Sequence, residues 1–115
     1  MTTRYGAIVG CKHYYGTRVL KPNQVIMLKK DLENDYDDEA IAVYLMPLGQ
    51  VGYMANSPNT VPRGCHSAGR IYDTFDTHTY GIIRFVLENT AIIEIPAESS
   101  LHITTTIEIQ EKVQA

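Results

Sequence analysis

Apolar positions along the chain fall in short runs separated by turn-forming residues, a spacing that predicts strands rather than long helices. Tyr5–Cys11 is the first run, and Gly6 and Gly10 within it mark a bulge or a close backbone approach. Arg18–Leu20 predicts a strand fragment and Lys21-Pro22-Asn23 a turn. Gln24–Leu28 and Ala40–Met46 are two further strands. Pro47-Leu48-Gly49 predicts a hairpin return into Gln50–Met54, where Gly52 signals a bulge or bend. Short, bent strands in succession predict a small barrel rather than a flat sheet.

The pattern then changes. Asn56–Gly64 carries Pro58, Pro62 and Gly64 and reads as a loop. Ala68, Ile71, Tyr72 and Phe75 recur at helical spacing, which predicts one short helix within Cys65–Phe75, weakened by Gly69 and acting as a barrel plug. Asp76–Thr79 is a connection. Tyr80–Leu87 and Thr90–Ile95 are strands joined by a two-residue loop, Glu88-Asn89, and Pro96 ends the second. Leu101–Gln110 alternates apolar and polar residues and predicts a half-buried last strand. No repeat or linker interrupts the chain, so residues 1–115 are expected to form a single domain.

Composition narrows the partners. A net charge of −3 over 115 residues gives no global basic field, so any nucleic-acid contact must be local. No apolar run approaches the roughly 20 residues that span a bilayer, and the N-terminus has no apolar core of a signal peptide. Cys11 and Cys65 do not make a secreted disulfide framework. The expected setting is cytoplasmic, with no membrane partner.

Two stretches carry chemistry. Asn34-Asp35-Tyr36-Asp37-Asp38-Glu39 is a polar turn that runs directly into the strand Ala40–Met46. Its Asn and Asp side chains can bond nearby backbone amides, which favours a rigid loop displaying carboxylates, an amide and a ring. Lys12-His13-Tyr14-Tyr15 sets a cation, an imidazole and two phenols side by side, a set suited to neutralising a phosphate and stacking a base. Lys29-Lys30 is a further basic pair, read as a solvated face.

Catalytic patterns are poorly matched. There is no phosphate-cradling glycine loop. Cys11, His13, Cys65 and His66 are spaced badly for tetrahedral zinc, because adjacent strand residues point to opposite faces. No local pattern pairs a cysteine nucleophile with His66 or His78. The calcium-loop pattern lacks its glycine and bidentate glutamate. The acidic turn has the residue types for Mg²⁺ but no nuclease motif. The chain is therefore expected to be non-catalytic and without cofactor.

Taken together, Val9-Gly10-x-Lys12-His13-Tyr14-Tyr15-Gly16, Val25-Ile26-x-Leu28, Asn34-Asp35-Tyr36-Asp37-Asp38-Glu39-Ala40-Ile41-Ala42-Val43 and Gln50-Val51-Gly52-Tyr53 resemble the HIRAN domain in order and spacing. The resemblance covers roughly residues 5 to 56. It implies a mostly β fold, an OB-fold-like or SH3-like barrel of about six strands with one short helix. It also implies binding to a single-stranded DNA end with a free 3′ hydroxyl, in DNA repair or replication-fork processing. On that resemblance Asp37 accepts the terminal hydroxyl, Asn34 helps hold the end, and Tyr36 stacks on a base. Lys12 lies near phosphate, His13 or Tyr14 supplies a second ring, and Tyr53 completes the nucleic-acid-binding set. Two departures stand out: Tyr53-Met54-Ala55-Asn56 carries no charge where the family has basic residues, and Asp35 replaces a proline beside Tyr36. The alternative is a protein-interaction module of the same fold that recruits a helicase or nuclease.

Overall fold

The runs of branched apolar residues form six antiparallel strands: β1 Arg4–Val9, β2 Val25–Lys30, β3 Ile41–Leu45, β4 Gly49–Met54, β5 His78–Val86 and β6 Ala91–Ile95. The structure is a computed structural model and describes residues 3–96; the expected strand Leu101–Gln110 lies outside the described residues. The strands close in the order β1-β4-β3-β2-β5-β6, with β6 returning to β1. Closure leaves no free sheet edge among them. Alternate residues point inward. Ile8, Ile26, Leu28, Ile41, Val43, Val51, Ile83 and Ile93 are almost completely buried.

One short helix, α1 Ala68–Tyr72, adds Ala68 and Ile71 to the same core, both fully buried. Truncating Ile71 to alanine would cost about 2–5 kcal/mol by transfer and cavity formation. The helix is shorter than its apolar spacing predicts. Upstream, the His66 amide donates to the Tyr5 carbonyl at 2.6 Å and holds that segment against β1. Downstream, the Thr74 amide and hydroxyl both donate to the Ile71 carbonyl, which closes the last turn. Tyr72 and Phe75 pack on the core and receive the Lys30 ammonium 4.3 and 5.1 Å from their ring centroids. Lys30 is therefore not a simple solvated cation.

Two features place the loops. Between β3 and β4, Val43 pairs with Gly52 and Tyr44 with Gln50, so Val51 is an extra residue and a bulge. A side chain at Gly52 would meet the Val9 carbonyl at 2.6 Å and the Ile8 side chain at 2.8 Å, so glycine lets β1 approach β4 closely. Gly10 then turns the chain in the left-handed region, φ 72°, into a 3-10 turn over Cys11–His13. β1 thus ends before Cys11. Arg18–Leu20 is not a strand. The Leu20 amide bonds the Thr17 carbonyl in a turn, and its buried side chain anchors the loop to the core. β5 begins at His78 rather than Tyr80, because Thr79 and His78 pair with Leu28 and Lys29. The β5–β6 loop is Glu88-Asn89, closed by the Leu87 amide on the Thr90 carbonyl at 2.8 Å.

Candidate nucleic-acid interface

The acidic turn connects β2 to β3, and its polar side chains are spent largely on its own shape. The Asn34 side-chain carbonyl accepts the Tyr36 and Asp37 amides at 2.9 and 3.0 Å. The Asp37 Oδ1 accepts the Glu39 amide at 2.9 Å. The Ala40 carbonyl accepts the Asp31 amide at 2.9 Å, closing the loop at its base. This is the behaviour expected of Asx side chains beside free amides. Its result is that the Tyr36 ring projects outward, 99 % exposed, next to a half-buried Asp37. The carboxylates of Asp35, Asp38 and Glu39 are exposed around it.

Two residues outside the motif hold this loop to the barrel. The Asn56 side-chain amide donates to both oxygens of Asp37, at 3.2 Å to Oδ1 and 2.9 Å to Oδ2. Asp31 accepts the Tyr53 hydroxyl at 2.7 Å, the Glu33 amide at 3.3 Å and the Asn34 amide group at 3.5 Å. The bond from Tyr53 is the main cause that holds the Asp31 carboxyl below its ordinary range. The same bond pushes the Tyr53 hydroxyl up. Neither Asp31 nor Asn56 stood out in the sequence as a site residue. Asp31 and Tyr53 are 22 positions apart, and Asp37 and Asn56 are 19 apart, so no local spacing signals either pair.

The second predicted cluster lies on the 3-10 turn that packs against β4. Lys12, His13, Tyr14 and Tyr15 are all exposed. Tyr15 donates its hydroxyl to the Leu48 carbonyl at 3.0 Å, tying the turn to the β3–β4 connection. Tyr14 adds a minor upward push on the Tyr53 hydroxyl, after the larger effect of Asp31. Tyr53 bonds Asp31 of the acidic loop and lies on β4, against which the turn leading to Tyr14 packs. Lys12 borders a separate cleft of about 390 Å³, shared with Thr17, Glu88 and Asn89. The structure thus brings Asn34, Tyr36, Asp37 and Tyr53 into one connected array, with Tyr14 beside it. Lys12 and His13 share the turn with Tyr14, without a hydrogen bond from their side chains to the acidic loop among the described residues. Chemically, the array offers a carboxylate acceptor, exposed rings for stacking, and one flanking cation.

The family model described as HIRAN domain matches residues 2–112. The human HLTF HIRAN domain has a similar crystal structure, with a TM-score of 0.59 at 23 % identity, over 81 % of this chain and 72 % of that one. A protein from Lactobacillus plantarum has a TM-score of 0.58 at 19 % identity, over 81 % of this chain and 92 % of that one. A search of curated proteins found no match.

Proposed function

The chain belongs to the HIRAN domain family, and from that premise we propose that it is a non-catalytic nucleic-acid-binding module that recognises single-stranded DNA with a free 3′ hydroxyl. One observation carries the reading. The loop holds an acceptor carboxylate, Asp37, beside a ring, Tyr36, that contacts almost nothing of its own protein. An ionised carboxylate accepts a hydroxyl hydrogen but repels a phosphate, so this pair distinguishes a strand end from an internal position. Tyr36, with Tyr14 and Tyr53 nearby, offers stacking surfaces, and stacking is worth about 1–3 kcal/mol per base. Asn34 fixes the loop that presents them, Lys12 is the cation for the backbone phosphates, and His13 on the same turn is a further ring for stacking. The expected place of such a module is the repair or processing of replication forks.

Fluorescence anisotropy at low salt with three labelled strands tests the reading: a free 3′ hydroxyl, a 3′ phosphate, and a circle without an end. Selective binding of the first supports end recognition. Equal binding of all three reduces the contact to general electrostatics, and no binding overturns the proposal. A second reading draws on charge. With a net charge of −3 and exposed Asp35, Asp38 and Glu39 around the site, the same barrel suits a basic protein surface, such as that of a helicase or nuclease. Capture of such a partner that survives Asp37→Ala and Lys12→Ala would favour it.

A further inference from the structure

We propose that Asn56 is a positioning residue that selects which oxygen of Asp37 reads the strand end; this rests on the end-recognition reading above. Asn56 directly follows the point where the Ala55 backbone bonds both neighbours. The Ala55 amide donates to the Ala7 carbonyl of β1, and the Ala55 carbonyl accepts the Ala68 amide of α1, at 2.8 and 2.9 Å. The Asn56 side chain is therefore fixed from behind. Its Oδ1 accepts the Gly69 amide at 2.8 Å while its Nδ2 faces Asp37. The partners set this orientation, since the opposite flip would place oxygen against carboxylate and nitrogen against an N–H.

Position 69 carries no side chain to disturb the arrangement. A Cβ there would lie 3.3 Å from the Asn56 Oδ1 and 2.5 Å from the Glu39 carboxylate. The two oxygens of Asp37 are then unequal. Oδ1 accepts both the Glu39 amide and Asn56, whereas Oδ2 accepts Asn56 alone. A carboxylate oxygen has two lone-pair sites. Oδ2 is thus the oxygen with capacity for a ligand hydroxyl, and Asn56 aims it. Because the aiming group is a neutral amide, the charge of Asp37 stays uncompensated and a terminal phosphate is repelled.

The experiment compares the 3′-hydroxyl and 3′-phosphate strands on the full chain. Asn56→Ala is expected to weaken hydroxyl-end binding about tenfold, the scale of one hydrogen bond to a charged group, and to bring the ratio between the two strands towards one. Asn56→Asp keeps the shape but sets two carboxylates face to face. It is expected to bind worse than Asn56→Ala at neutral pH and to recover as acid lets the pair share a proton. In the unaltered protein, NMR titration is expected to shift the Asn56 side-chain amide and the Gly69 backbone amide with the hydroxyl strand and not with the phosphate strand. If the unaltered protein discriminates but Asn56→Ala keeps the same ratio, or those resonances stay still, the positioning role is overturned and end recognition stands. If the unaltered protein does not discriminate, end recognition fails and the positioning role falls with it.

Discussion

The two clusters that flank Tyr53 are built on opposite principles. The loop between β2 and β3 is cross-linked: Asn34 bonds two amides, Asp37 bonds Asn56 and Glu39, and Asp31 bonds Tyr53. The turn after β1 is held by its backbone and by the Tyr15 hydroxyl, while Lys12, His13 and Tyr14 extend into solvent. The difference is one of preorganisation. A fixed acceptor loses little entropy when a ligand arrives and gives geometry-dependent selectivity. Exposed side chains held by no partner of their own lose more and give contacts that tolerate many partners. In the proposed role the loop reads the end and the turn holds the strand.

The sharpest way to break this contrast is Asp37→Ala. It removes the acceptor, and hydroxyl-end binding by anisotropy is expected to fall by about 30- to 100-fold, the cost of a charge-assisted bond. Loss of the same size for the phosphate-ended strand would show that Asp37 does not read the end. Tyr36→Ala comes next. Binding should weaken by about 1–3 kcal/mol through lost stacking, while the denaturation midpoint stays put, because the ring is 99 % exposed.

Asn34→Ala reverses that separation. Two backbone amides lose their acceptor, so stability should drop by about 1–2 kcal/mol in urea unfolding. Hydrogen exchange should speed up at Tyr36 and Asp37. Unchanged exchange would mean the loop is rigid for another reason. Lys12→Ala has a smaller effect and a different signature. It should weaken all strands alike and reduce the slope of binding against log salt by about one.

The smallest effect is on pH. The Asp31 carboxyl is held below its ordinary value mainly by the Tyr53 hydroxyl. Its stabilisation is present above the unfolded value of about 3.9 and is lost as pH falls through the lower folded value. Asp31 is partly exposed, so solvent screening keeps the gain small. At the alkaline end, Tyr53 is raised by the same bond. Its contribution holds below the unfolded value near 10 and is lost as pH rises through the folded one. Tyr53→Phe should flatten both limbs, measured as thermal midpoint against pH.

The chain's own pattern determined most of the barrel. Strand runs, the bulge next to Gly52, the Glu88-Asn89 hairpin and a helix near Ile71 follow from alternation, turn residues and spacing, which neighbours in sequence carry. So did the existence of the acidic loop, since Asn and Asp bond amides only a few positions away. Local pattern misjudged Arg18–Leu20 and the helix ends, where Leu20 burial and the bonds of His66 and Thr74 set the outcome.

Only the tertiary structure decided which side chains the loop leans on. Nothing near Asp37 announces Asn56, nothing near Asp31 announces Tyr53, and nothing near Lys30 announces the rings of Tyr72 and Phe75. Those partners meet because barrel closure brings β4, α1 and the end of β2 together. An amide, a phenol and an ammonium each pair with whatever group closure sets within reach, and sequence spacing carries no record of that distance.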